Sequence, residues 1–112
     1  MKVKDLLEST DLHLISDSSG IENEVNGIFS CDLLSHVMGF VKEDNILITV
    51  LNNINVLGVA SLCDLSCVIF AHKIKVNQQI IDKSNELNIP LLRTELSTSE
   101  TVIALYKLGV PN

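Results

Sequence analysis

Three polar stretches in the second half of the chain carry the residues best placed to bind a ligand: Thr49–Asn55, His72–Asn77 and Thr94–Ser99. Their side chains offer amide, imidazole, ammonium and hydroxyl groups, and Glu95 is the first carboxylate among them. With the partial positive charge of a helix N-terminus nearby, such groups favour a polar or anionic small molecule, for example a nucleotide or an acyl phosphate. The candidate ligand-binding residues are Thr49, Asn52, Asn53, Asn55, His72, Lys73, Thr94, Ser97 and Thr98.

A second interpretation of the same residues needs no ligand. Turn hydrogen bonds and a helix N-cap at Asn55 would account for the asparagines, and a capping box from Ser97 to Glu100 would account for the hydroxyls. A loop histidine such as His72 is also more often structural or simply exposed. The sequence leaves both interpretations open.

The elements that must position these residues are three short apolar runs: Ile46–Val50, Cys67–Ala71 and Ile89–Thr94. They lack polar alternation, which is typical of parallel strands buried on both faces, and the segments between them are long enough for helices. In such a sheet the loops after the strands gather at one edge, where ligands usually bind. We therefore predict one α/β domain over residues 1–112, with a mixed, largely parallel sheet flanked by helices.

The first half of the chain predicts two more strands and two helices. Gly27 marks a bulge or a close backbone approach. Ser30 is the predicted N-cap of the second helix, with Asp32 in its first turn. The predicted elements are a helix over Val3–Ser9, strands over Leu12–Ile15 and Val25–Phe29, and a helix over Ser30–Val41.

In the second half, Asn77 is a predicted N-cap, and Ser97 with Glu100 forms the capping box that begins the last helix. The segment Asn55–Cys63 is apolar nearly all round, so it fits either a buried helix capped by Asn55 or a strand over Val56–Ala60.

Composition excludes several classes of protein. The net charge is −6 and there is no Trp, which argues against a nucleic-acid partner. No apolar stretch is long enough to span a membrane and no N-terminal signal is visible, so we expect a cytoplasmic protein. The three cysteines lack the paired spacing of a zinc site and suit buried thiols in a reducing compartment; we expect no metal and no cofactor.

The apolar content, 46% of the residues, is high for so small a domain. A single small core buries a limited fraction of the chain's surface. We therefore predict a homodimer that covers an apolar patch on the helix Ser30–Val41 or on the segment Asn55–Cys63.

Between Val3 and Leu108 the chain carries a series of mostly apolar segments in a characteristic order and spacing. They are Cys31–Met38, Ile48–Val50, Asn55, Gly58–Ala60, Val68–Ile69, Ile80–Ile81, Ile89–Leu92 and Thr94. This pattern resembles the DRTGG-type domain. The resemblance implies a fold similar to the non-catalytic N-terminal domains of HPr kinase/phosphorylase and of Mur ligases. It also implies a regulatory setting, since such domains occur beside CBS pairs, or a redox setting in anaerobic bacteria, beside hydrogenase and NADH-oxidising subunits. Where the family has a glycine-rich turn, this chain has His72–Asn77, with no glycine.

Enzymatic phosphate chemistry is not expected, because none of the five glycines belongs to a phosphate-binding loop with its lysine. We predict a non-catalytic regulatory or ligand-sensing module. The alternative is an interaction or assembly subunit that binds a redox or metabolic protein and no small ligand.

Overall fold

A computed structural model describes residues 1–111 of the chain, which contain five helices and five strands; from β2 onwards strands and helices alternate. The helices are α1 (Val3–Leu6), α2 (Leu34–Phe40), α3 (Asn55–Leu62), α4 (Gln78–Leu87) and α5 (Thr98–Lys107). The strands are β1 (His13–Leu14), β2 (Ile28–Ser30), β3 (Ile46–Thr49), β4 (Cys67–Phe70) and β5 (Leu91–Arg93).

The five strands form one sheet in the order β1-β5-β4-β3-β2. The four strands from β2 to β5 are parallel, and β1 joins β5 in antiparallel orientation at one edge. In the register of the central strands, Ile48 lies opposite Ile69, and Ile69 lies opposite Leu92. The predicted α/β fold with a mixed, largely parallel sheet is confirmed.

Helices cover both faces of this sheet, and alternate strand residues supply two cores. Ile48 and Ile69 belong to the core shared with α1 and α5. Leu47, Val68 and Phe70 belong to the core shared with α2, α3 and α4. Because both faces are covered, every residue of β3 and β4 is buried. This explains why these runs lack polar alternation.

Several predicted elements are present but shorter than expected. The first helix ends at Leu6 instead of Ser9, and the second strand covers Ile28–Ser30 instead of beginning at Val25. Gly27 was predicted to mark a bulge or a close backbone approach, and the group that approaches its backbone closely is the Asn45 side chain. The φ of Gly27 is +113°, and a Cβ there would lie 2.3 Å from the Asn45 side-chain nitrogen.

The predicted N-cap at Ser30 is wrong. Ser30 is the last residue of β2, and α2 begins four residues later, after Leu33, which makes no side-chain cap. Asp32 is consequently not in a helical first turn. Its carboxylate is hydrogen-bonded to the end of β3, and this bond holds the connecting segment outside the helix.

The ambiguous segment Asn55–Cys63 is a helix, α3, which covers Asn55–Leu62. Asn55 is not its N-cap, as predicted, but its first helical residue. The preceding residue, Ile54, occupies the cap position and makes no side-chain cap. The side-chain oxygen of Asn53 instead accepts a hydrogen bond from the Asn55 N–H at 2.9 Å. The side chain that forms the hydrogen bond at the start of this helix is therefore two residues earlier in the chain than predicted.

The start signals of the last two helices are confirmed. The Asn77 side chain accepts a hydrogen bond from the Ile80 N–H at 2.9 Å at the start of α4. At the start of α5, Ser97 and Glu100 form the reciprocal capping box. Such signals are reliable because they depend only on residues within one turn of the chain.

The three cysteines differ in burial, which leads to a chemical prediction. Cys67 is fully buried in β4, and burial raises the pKa of its thiol to about 12. Cys31 and Cys63 are half-buried. Because the thiolate is the reactive form, we expect iodoacetamide at pH 8 to modify two cysteines in the native protein and the third only after unfolding. Mass spectrometry that found all three modified at one rate would contradict this arrangement.

Candidate functional site

The three polar stretches singled out in the sequence lie together at the carboxyl edge of the sheet. The Ala71 N–H donates to the Thr49 carbonyl at 3.1 Å, and the Thr94 N–H donates to the Phe70 carbonyl at 3.0 Å. The ends of β3, β4 and β5 are therefore joined side by side. We refer to residues 31–32, 49–55, 71–77 and 94–99 as the strand-end edge.

His72 and Lys73, at the centre of this edge, both have left-handed backbone conformations. Their φ angles are 59° and 56°. The N–H of His72 donates to the Leu96 carbonyl at 2.8 Å, and that of Lys73 donates to the Thr94 carbonyl at 2.9 Å. A left-handed conformation costs a residue with a side chain about 1–2 kcal/mol, so the neighbouring loop holds these two residues against their own preference.

The side chains of this pair are exposed. The Lys73 ammonium lies 3.2 Å from the Glu95 carboxylate. The Nε2 atom of His72 accepts a long hydrogen bond, 3.4 Å, from the Thr98 N–H. The conformation thus presents an imidazole and an ammonium group to solvent, while both backbone N–H groups are occupied within the protein.

The strain at His72 can be measured by comparing two substitutions that remove the same imidazole. We expect His72→Gly to be more stable than His72→Ala by about 1 kcal/mol, because only glycine adopts a positive φ without steric cost. The matched pair at Lys83, in the middle of α4, should show the opposite order, with Gly about 1 kcal/mol less stable than Ala. Chemical denaturation gives both differences; equal stabilities of the two His72 variants would show that no strain is stored there.

The asparagines contribute to turns and also remain exposed. Asn52 Nδ2 donates to the Lys75 carbonyl at 2.7 Å, which ties the loop after β3 to the loop after β4. Asn53 accepts from the Asn55 N–H, as described above. The Asn55 side chain lies on the exposed side of α3, where it lines an apolar groove together with Leu62.

Three of the four predicted hydroxyl groups, those of Thr49, Thr94 and Ser97, are hydrogen-bonded within the protein. The fourth belongs to Thr98, the half-buried first residue of α5. Thr49 is fully buried, and Thr94 is nearly so. The Thr94 Oγ1 atom accepts from the Leu96 N–H at 3.2 Å, and the Ser97 Oγ atom accepts from the Glu100 N–H at 3.1 Å. These three groups shape the loops of the strand-end edge, and the asparagine, histidine and lysine side chains there are exposed together with the carboxylates of Asp32 and Glu95.

Asp32 is a residue of this edge that the sequence analysis missed. Its Oδ1 atom accepts from the Thr49 hydroxyl at 2.7 Å and from the Val50 N–H at 2.8 Å. The signal was available, because Asp32 follows strand β2 just as His72 follows strand β4. The misplaced cap at Ser30 assigned it to a helix instead.

The edge carries more carboxylates than its three polar stretches alone predict: Asp32 joins Glu95, and Glu100 follows in the first turn of α5, against the two lysines Lys73 and Lys75. Of these groups, the Lys73 ammonium pairs with the Glu95 carboxylate. The Ser97 backbone N–H lowers the pKa of the Glu100 carboxyl by hydrogen bonding, with smaller contributions from the Ser97 hydroxyl and from His72. An anionic ligand would therefore have to be recognised by individual lysine, histidine and amide groups, because the edge carries no general positive field.

Two classes of feature are not found within residues 1–111. No helix there is long and apolar enough to cross a membrane. No group of three or more His, Cys, Asp or Glu side chains in that range is arranged to hold a metal ion.

Comparison with known proteins gives one family and a similar solved structure. The family model of the DRTGG domain matches residues 5–108. No curated protein matches the sequence. A crystal structure with the same fold is that of the CBS and DRTGG domains of the regulatory region of Clostridium perfringens pyrophosphatase, complexed with its activator diadenosine tetraphosphate.

The similarity to that regulatory region is one of fold. The TM-score is 0.68 at 14% sequence identity. The alignment covers 98% of this chain and 47% of the pyrophosphatase chain, so the present chain spans about half the length of that structure. From the family match over nearly its whole length, the chain belongs to the DRTGG domain family.

Proposed function

We propose that this chain is a non-catalytic regulatory module that senses a polar or anionic small molecule at the strand-end edge. The observation that carries the proposal is the strained pair His72 and Lys73, whose backbone N–H groups donate hydrogen bonds to carbonyls of the loop after β5. Residues in costly backbone conformations cluster at ligand clamps and switch regions, where the strain serves function. The name of the DRTGG family contains a pair of glycines, which would adopt this conformation freely.

The similar pyrophosphatase structure supports the regulatory part of the proposal. There, a region composed of CBS and DRTGG domains holds a nucleotide activator. Diadenosine tetraphosphate is a polyanion, the ligand class that lysine, imidazole and amide groups recognise. This chain covers about half of that region. We therefore propose that this half binds a nucleotide on its own.

Within the strand-end edge, we propose that Lys73, Lys75 and His72 contact the anion. Asn52, Asn53 and Thr98 lie beside them on the strand-end edge, and Thr49, Thr94 and Ser97 hold the loops in place. Asn55, also predicted from the sequence, is left out of the anion contacts because its side chain lines the apolar groove on α3. Lys75 is not among the ligand-binding residues predicted from the sequence. Its backbone carbonyl accepts the Asn52 hydrogen bond, so its position is tied to the loop after β3.

Thermal unfolding with a panel of anions tests this function. The probes are diadenosine tetraphosphate, ATP, AMP and acetyl phosphate, each at millimolar concentration with matched salt. A ligand present at 100 times its Kd stabilises the folded state by about 2.7 kcal/mol, which raises the melting temperature by several degrees. Unchanged melting temperatures across the panel would contradict binding of this ligand class. Phosphate release from ATP that a point substitution abolished would contradict the non-catalytic assignment.

A second candidate function, protein interaction without a small ligand, is supported by a different surface. Leu62 of α3 is 69% exposed and Met38 of α2 is 51% exposed, although both side chains are apolar. Exposed apolar patches of this kind often mark protein–protein contacts. Under this function the chain forms a homodimer, and a cytoplasmic redox or metabolic protein is a further proposed partner. Stabilisation by a partner protein, with none by the anions, would favour this function.

A further inference from the structure

The exposed face of α3, with its neighbours on α2 and α4, forms an apolar groove of about 670 Å³. Met38, Ile54, Gly58 and Leu62 line it, and Lys83 stands at its rim. We call this surface the α2–α3 face. It lies on the side of the sheet opposite to α1 and α5.

The α2–α3 face is depleted of charge. The seven residues of α2 and the eight residues of α3 include no Asp, Glu, Lys or Arg, whereas 20% of the whole chain is charged. Depletion of charged residues is the compositional mark of an interface core. The chain has a net charge of −6, yet this exposed helical face is uncharged. The packing of a single chain does not account for that, whereas contact with a partner would.

Gly58 supports the same conclusion. A glycine in the interior of a helix is destabilising by about 0.5–1 kcal/mol relative to alanine. A Cβ atom at Gly58 would meet nothing within 4 Å, so the packing of this chain does not require glycine there. A glycine does allow another helix backbone to approach closely at that point.

We infer that the occupant of the α2–α3 face is a second copy of this chain, related by a two-fold axis that passes near Gly58. In a two-fold interface each patch meets its own copy, so an uncharged patch is complementary to itself. The rim is also self-complementary, because Asp82, Lys83 and Glu86 on α4 provide both signs of charge. A strongly acidic or strongly basic partner would find no surface of opposite charge on this face.

The size of the chain permits a dimer of ordinary stability through one face. A standard interface takes about 800 Å² from each partner, which is roughly one-seventh of the 5822 Å² of this chain. One face of a body measuring 31 × 28 × 25 Å provides that area. The inference rests on the proposed self-association and adds the surface and the symmetry.

Light scattering after size-exclusion chromatography, from 1 to 100 µM protein, tests the inference. We expect the wild-type chain to have twice the monomer mass of 12.3 kDa. Gly58→Arg places two like charges at the axis and should raise the dimer Kd at least 100-fold. It should not unfold the chain, because arginine is a better helix former than glycine and nothing lies near its Cβ. Leu62→Glu is a second variant with the same expected result.

The matched control is Ile103→Glu. Ile103 is 53% exposed on α5, which covers the other face of the sheet, so this variant should remain a dimer. A wild-type monomer at 100 µM would overturn self-association itself. A wild-type dimer that survives both Gly58→Arg and Leu62→Glu would overturn the assignment to this face. Neither outcome bears on anion binding at the strand-end edge, which is measured separately.

Discussion

Substituting Phe70 with alanine should lower the free energy of unfolding by about 3–5 kcal/mol. Phe70 is the largest fully buried side chain, and it lies on β4 in the centre of the sheet. A domain of this size is stable by only about 5–15 kcal/mol, so the melting temperature should fall by roughly 10–20 °C. Circular dichroism during thermal and chemical unfolding measures both quantities. If Phe70→Ala does not fold, Phe70→Leu gives a smaller measurable loss.

Phe40→Ala is the control for this prediction. The chemical change is the same, but Phe40 is 65% exposed at the end of α2, and its ring contacts the His36 ring at a centroid distance of 4.5 Å. Its loss should cost less than about 1 kcal/mol. Equal losses at Phe70 and Phe40 would contradict the burial pattern of the fold.

Replacing Lys73 and Lys75 together with alanine should weaken binding of an anionic ligand at least tenfold. Each charge-assisted hydrogen bond to a phosphate contributes about 1.5–3 kcal/mol, less where the lysine is exposed, and a tenfold change in Kd corresponds to about 1.4 kcal/mol. Both side chains are exposed, so the stability of the free protein should change little. Isothermal titration calorimetry with the anion that stabilises the wild-type chain measures the change in Kd.

Lys83→Ala is the matched control for the lysine pair. Lys83 is also exposed and also pairs with a nearby glutamate, Glu86, at 3.4 Å, but it lies on α4 away from the strand-end edge. Its removal should leave the Kd unchanged. Asn52 is kept in the test protein because its side chain ties two loops together, so its loss would alter the edge itself. If Lys83→Ala weakened binding as much as the double substitution, the lysines would contribute non-specific attraction only.

The sheet and its strand-end loops were predictable from the sequence for a simple reason. Runs such as Cys67–Phe70 are buried on both faces, so their composition reports their environment directly. The convergence of the following loops is then a consequence of parallel strands. The helix starts at Asn77 and Ser97 were predictable because their capping bonds join residues only three apart.

Two features that were mispredicted or missed depend on contacts between distant parts of the chain. Asp32 was assigned to a helix because Ser30 resembles a cap, and its actual partner, Thr49, lies 17 residues away. The left-handed backbone of His72 and Lys73 is imposed by Leu96 and Thr94 in another loop. No local propensity would place two side-chain-bearing residues there. The predicted cap at Asn55 is a separate case. Asn53, two residues earlier, makes the side-chain hydrogen bond at this turn. Helix boundaries are the least predictable part of an element.

The most direct test of the central claim is a map of where the ligand binds. An amide NMR titration of the ¹⁵N-labelled chain with diadenosine tetraphosphate, or with whichever anion of the panel stabilises it most, reports each backbone N–H separately. We expect the shift changes to concentrate at residues 49–55, 72–77 and 94–99, and to be lost when Lys73 and Lys75 are both replaced by alanine. Shift changes confined to α2, α3 and α4, or no changes at millimolar ligand, would contradict a ligand site at the strand-end edge.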